Sequence, residues 1–252
     1  MGEGPLLLFL HGIGGNKDVF DQQLPAFADG WRTAAWDMPG YGESELQGEM
    51  TFELLADSVA QLLDDLGEHD VDLVGHSMGG MVAQEFIARY PDRVRRLALA
   101  GTSPAFGKPG GDWQKQFLSA RLKPLDEGQT PADFASELVQ GMFGQQRDEK
   151  AMSRAALAMA ELSAASYRAA LNCIVTFDRR ESLAAIDCPT LLIAGSEDKN
   201  APPEVMEKMA AKISGARYVL LEGPGHLMNM EEPEAFNETL RRFLDDTAAP
   251  AN

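Results

Sequence analysis

Residues 71–86 read VDLVGHSMGGMVAQEF, and their reading decides the fold. An apolar run over 71–74 stops at Gly75, Ser77 follows between glycines, and an amphipathic pattern starts at once at Met78. Apolar residues giving way to helical periodicity read as a strand that turns directly into a helix. Gly75-His76-Ser77-Met78-Gly79 fits the spacing G-x-S-x-G, in which such a turn lifts a serine hydroxyl clear of a sheet. Side chains at Gly75 and Gly79 would collide with packed neighbours there. The free N–H groups of the first helical turn point at the same place, where negative charge is favoured. The spacing alone is a weak signal, since a glycine-rich chain produces it by chance and a small residue in a tight turn explains it. The strand before it and the helix after it give it meaning.

Outward from this joint the pattern repeats. Short apolar runs at 6–10, 32–37, 97–100, 190–194 and 217–221 each end at or near a glycine. Near-continuous apolar runs suit strands buried on both faces of a parallel sheet. Helices are expected at 18–27, 52–66, 78–90, 204–213 and 234–244, with Thr51 as an N-cap and Pro91 as a stop. Strand–helix alternation predicts an α/β fold: a doubly wound parallel sheet of about six strands with right-handed crossovers. Between Ser103 and Asp187 no strand pattern occurs. Helical patterns at 113–122, 131–143, 149–162 and 165–178 predict an all-helical cap over the sheet's carboxyl edge. The expected division is a core of residues 1–103 and 188–252 and a cap of 104–187. A frayed tail is expected after Asp246.

The chain has 252 residues and a formal net charge of −17. That charge disfavours nucleic acid and anionic membrane as partners. Residues 104–185 carry ten basic and ten acidic side chains, so the acidity belongs to the rest. Cys173 and Cys188 form no C-x-x-C pattern and read as small buried side chains. The apolar run at 5–10 is too short to span a bilayer and lacks a basic flank, so a cytoplasmic protein is expected. No metal or organic cofactor is implied, since neither G-x-x-x-x-G-K-[ST] nor H-E-x-x-H is present.

Four further segments join Gly75–Gly79 in resembling the α/β-hydrolase superfamily nearly end to end. His11-Gly12-Ile13-Gly14-Gly15 resembles its His-Gly loop, and Asp37-Met38-Pro39-Gly40-Tyr41-Gly42-Glu43-Ser44 its D-x-P-G-x-G-x-S segment. Gly195-Ser196-Glu197-Asp198 resembles its acid loop and Gly223-Pro224-Gly225-His226 its histidine loop. The nearest group is that of 3-oxoadipate enol-lactonase-like and small carboxylesterase hydrolases. Members usually begin with two additional strands. Only five residues precede Leu6, so the strand at 32–37 is expected to be an edge, either covered or used in a homodimer.

A serine hydroxyl needs a base, and the base an orienting acid. Of four histidines, His76 lies in the elbow, His11 beside the His-Gly loop and His69 in a polar loop. His226 follows a strand, where the fold places its base. Asp198 is the expected acid, with Glu197 its rival. The resemblance implies an oxyanion hole from the backbone N–H groups of Ile13 and Met78. His11, Gly12, Trp113, Phe117, Met142 and Phe143 are candidate pocket residues, packing within the cap being the competing reading. Asp37 reads as structural, and Arg179-Arg180 as a solvated helix end rather than a carboxylate site.

These expectations converge on a serine hydrolase cleaving a carboxylic ester or lactone through an acyl-enzyme. Carbon–carbon bond hydrolysis of a ring-cleavage type diketone by the same triad, and a low-turnover ligand receptor of the same fold, remain alternatives.

Overall fold

A computed structural model describes residues 1–145 and 148–247. The expected tail beyond Thr247 lies outside the described residues. Strand β1 (Leu6–Leu10) is followed by a 3-10 turn (Lys17–Phe20), α1 (Gln23–Phe27), β2 (Arg32–Ala35), α2 (Phe52–Leu66), β3 (Val71–His76), α3 (Met78–Arg89) and β4 (Val94–Ala100). Four helices then follow without a strand: α4 (Asp112–Asp126), α5 (Pro131–Gln140), α6 (Glu149–Ala160) and α7 (Ala164–Ile174). The chain ends its described part with β5 (Thr190–Gly195), α8 (Pro203–Ala210), β6 (Arg217–Leu221), α9 (Met228–Glu231) and α10 (Pro233–Asp246).

Among the described residues the six strands form one sheet in the order β2-β1-β3-β4-β5-β6. Every neighbouring pair is parallel. The order reverses direction at β1 and β3, so the carboxyl ends of these strands open a crevice, the usual ligand position in such sheets. All five residues of β1 and all six of β3 and β5 are buried, which explains their unbroken apolar runs.

Local chemistry sets the helix limits. Thr51 accepts from the Leu54 N–H at 3.1 Å and starts α2, and Gly67 ends it in the left-handed region at φ 72°. Phe52, Leu55, Val59 and Leu63 make the buried stripe of that helix. The expected continuous helix at 18–27 is broken instead. Asn16 caps a 3-10 turn, and Pro25 has no N–H with which to continue a helix across Asp21. The strand expected at 32–37 ends at Ala35, although Trp36 still donates to the Phe9 carbonyl at 3.2 Å. The helix expected at 131–143 ends at Gln140, and α7 at Ile174, short of Asp178.

β2 is an edge, as expected. Its Thr33 exchanges hydrogen bonds with residue Met1: the amine donates to the Thr33 carbonyl and the Thr33 N–H to the Met1 carbonyl, both at 2.7 Å. No helix among the described residues is long and apolar enough to cross a membrane. Arg179, expected to be solvated, instead grips buried Glu85 of α3 through two bonds at 2.5 and 2.6 Å. That bidentate pair pins the end of the helical insertion to the sheet's central helix.

Candidate active site

Ser77 lies between β3 and α3 at φ 54° and ψ −120°. Among the described residues it alone, glycines aside, has positive φ. Such a conformation persists only where its surroundings enforce it. Here the Ser77 N–H donates to Ala100 of β4 at 2.9 Å, and the Ser77 carbonyl accepts from the Thr102 hydroxyl at 2.7 Å. Gly79 makes room on the other side, since a Cβ there would run into the backbone carbonyls of Leu10 and His11. The turn therefore depends on three strands meeting at one spot, and it pushes the hydroxyl outward over the crevice.

Two later loops reach the same point. Asp198 follows β5 and His226 follows β6. His226 Nδ1 lies 2.8 Å from Asp198 Oδ2, and its Nε2 lies 2.9 Å from Ser77 Oγ. With Asp198 ionised, Nδ1 carries the proton and donates it, which leaves Nε2 to accept from the serine hydroxyl. Burial alone would raise the Asp198 carboxyl. The His226 imidazole and the N–H groups of Ala201 and Asn200, donating to Oδ1 at 2.9 and 2.8 Å, outweigh it and hold the carboxyl below its ordinary range. Its rival Glu197 points elsewhere and accepts from the Gln145 N–H at 2.9 Å.

The other histidines do different work. His76 is buried, its Nε2 2.7 Å from the His226 carbonyl, and burial pulls its pKa down to about 3. It is therefore a neutral donor that steadies the His226 loop. His11 is fully buried, with Nδ1 2.9 Å from the Gly12 carbonyl and Nε2 accepting from the Met38 N–H at 3.0 Å; burial lowers it to about 4. Both ring nitrogens are thus used, Nδ1 within the His-Gly loop and Nε2 in tying that loop to the chain after β2. His69 is exposed at the far end of β3.

Two cavities meet at Ser77. The smaller, about 30 Å³, is bounded by Gly12, Gly14, Val139 and Leu227. The larger, about 230 Å³, runs under α4 and α7, with Trp113 stacked on Phe117 and Phe106 edge-on to Phe117 along one wall. Ile13, Met142 and Met159 border both cavities. Among the described residues the Ile13 and Met78 N–H groups donate to nothing. Two candidates fall outside both linings. His11 is held by its ring bonds, and Phe143 is buried in the hydrophobic core.

One carboxylate escaped the sequence reading. Glu231, at the end of α9, accepts from Gly225 at 3.0 Å, Gly144 at 2.7 Å and Leu227 at 3.1 Å. Burial pushes its carboxyl up, against the three N–H groups that favour the anion. The short helix α9 that carries it has no periodicity long enough to read. Arg121 of α4 stands on the wall of the larger cavity, and nothing in its spacing along the sequence sets it apart from solvated cap arginines.

A family model described as the alpha/beta hydrolase fold matches residues 5–233. A pimeloyl-[acyl-carrier protein] methyl ester esterase of Neisseria meningitidis serogroup A is 30% identical over 258 residues, covering 94% of this chain and 75% of that protein. The structure of a thermophilic esterase from Thermogutta terrifontis superposes with a TM-score of 0.90 at 28% identity, over 99% of this chain and 92% of that one. That of the enol-lactonase from Burkholderia xenovorans LB400 gives 0.85 at 27%, over 97% and 92%. With a serine, an imidazole and a carboxylate in series at the carboxyl edge of the sheet, the chain belongs to the α/β-hydrolase fold family and is a serine hydrolase related to its esterases and lactonases.

Proposed function

We propose that Ser77 is the nucleophile, His226 the general base and Asp198 the acid that orients it, in the hydrolysis of a carboxylic ester or lactone. The observation that carries this is the unbroken series Asp198 Oδ2, His226, Ser77 Oγ, with links of 2.8 and 2.9 Å. In this reading Ser77 Oγ attacks the acyl carbon as His226 Nε2 takes its proton. The imidazolium formed is stabilised by Asp198 and then protonates the departing alkoxide. Water enters, gives its proton to His226, and attacks the acyl carbon to release the acid and free Ser77. The N–H groups of Ile13 and Met78, uncommitted among the described residues and both beside Ser77, are assigned to the oxyanion. Losing one such donor costs about 10²–10³ in rate.

The segment 104–187 is assigned as the cap, since its helices α4 and α7 roof the larger cavity. Trp113, Phe117 and Met142 are then substrate-facing, and Gly12 lets the loop approach the hydroxyl. The relatives named above act on a methyl ester and an enol-lactone by their names. Both are oxygen esters, which supports the same bond class here. For assembly, the β2 edge, which Met1 meets at Thr33 alone, is the edge on which two copies would pair.

A fluorophosphonate should label the wild-type protein at Ser77, and Ser77→Ala should abolish labelling. His226→Ala should lower hydrolysis of a short 4-nitrophenyl ester by at least about 10³-fold while leaving the thermal transition cooperative. No labelling at neutral pH would instead favour a ligand receptor, and full activity in His226→Ala would move the base elsewhere.

A further inference from the structure

The larger cavity is charged in an unexpected sense. The protein carries −17 overall, yet the fully charged side chains lining this cavity are Arg121 and Lys199, with no Asp or Glu among them. Arg121 is half-buried on α4. Its guanidinium carbon stands 5.7 Å from the centre of the Phe117 ring, and the group lies beside the Tyr167 hydroxyl. Neighbouring cap arginines are paired, Arg168 to Asp126 at 2.6 Å and Arg179 to Glu85. Arg121 and Lys199 form no ion pair among the described residues. A half-buried guanidinium beside aromatic walls gains most when an anion meets it, and the Phe117 face and the Tyr167 hydroxyl take up only part of its donor set.

We propose that the remaining partner of Arg121 is the substrate itself: an ester or lactone whose acyl part carries a free carboxylate at its far end. This rests on the reading of Ser77 as the nucleophile and adds the class of acid it acts on. The guanidinium takes the distal carboxylate through two parallel N–H bonds, as planar forks do. Lys199, exposed at the rim directly after Asp198, draws the anion in against the field of an acidic molecule. Phe106 and Phe117 cover the methylene chain between the two ends. The volume of about 230 Å³ lies below the usual range for drug-sized ligands, which fits a short dicarboxylic half-ester.

The test compares monomethyl adipate, with its free distal carboxylate, against dimethyl adipate by titrating the acid released, and repeats the pair for glutarate and pimelate. Wild type should favour the acid by about tenfold or more in kcat/KM at one chain length. Arg121→Met should cut that ratio by about 10–100-fold, chiefly through KM, as expected for losing a hydrogen-bonded charge. Arg121→Lys should fall between them, keeping the charge without the fork. Arg217→Met, on the exposed strand β6, serves as the control and should leave the ratio alone. In parallel, calorimetry with Ser77→Ala reads the binding of monomethyl against dimethyl adipate without turnover. Hydrolysis of both esters with no preference, or a preference that survives Arg121→Met, overturns the assignment. A binding preference in Ser77→Ala that depends on Arg121, in a protein whose wild type hydrolyses neither ester, supports the anion site and overturns only the hydrolase reading.

Discussion

A methyl group at Gly12 would stand 2.6 Å from the Cβ of Ser77 and 3.1 Å from its Oγ. Those distances leave no rotamer to choose, so the His-Gly loop or the serine must move. Gly12→Ala is therefore expected to lower kcat/KM about 100-fold, the scale of a misplacement near 1 Å, while the melting temperature changes by only a few degrees. Steady-state kinetics beside calorimetry check this, and near-wild-type turnover would mean that the loop yields freely. The motif made Gly12 legible as a residue of the loop, but its contact with Ser77 was not. Contact across the crevice depends on how β1 and β3 pair, with Leu10 opposite Gly75, and one chain position cannot report that register.

At the scale of elements, Glu231 joins pieces that are remote in sequence. Its two oxygens gather N–H groups from the histidine loop, from the start of α9 and from Gly144 after α5. Glu231→Gln replaces one acceptor oxygen with an amide that faces donors and removes the charge. Hydrogen bonds to charged groups contribute about 1.5–3 kcal/mol each, and a loss of that order in stability is expected by urea titration. If the carboxylate also holds His226 in place, kcat should fall about tenfold with KM little changed. A fall in stability alone would make Glu231 purely structural. Helices such as α2 were legible because cap, stripe and stop all agree within fifteen residues. The loop after β6 was legible only as far as His226. The four residues of α9 are too few for a period, and the groups they hold come from the other half of the chain. The break at Pro25 has the reverse cause: apolar spacing suggested one helix over 18–27, and the missing amide decided otherwise.

For the molecule as a whole, two buried neutral imidazoles tie stability to pH. His11 and His76 have pKa values lowered to about 4 and about 3 from 6.5. Below pH 6.5 the unfolded chain binds protons there that the folded chain refuses, so stability rises with pH and is lost as pH falls from 6.5 toward 4. Two such groups together remove roughly 3–4 kcal/mol between pH 7 and pH 5. Asp198, held low, adds its loss at still lower pH, and Glu231, held high, opposes the trend above its ordinary range. Urea unfolding at pH 7 and pH 5 should read this difference, and His11→Asn should remove about half of it. An equal stability at both pH values would mean that these imidazoles titrate in the folded protein.

The hydroxyl of Ser77 stands on a divide between unequal rooms, one of about 30 Å³ and one of about 230 Å³. The narrower room has space for about two water molecules. Whichever half of a reactant enters it must be a stub, so bulk is tolerated on one side of the scissile bond only. Lengthening that half by single carbons should throttle turnover within a step or two, while the same carbons added opposite pass unnoticed.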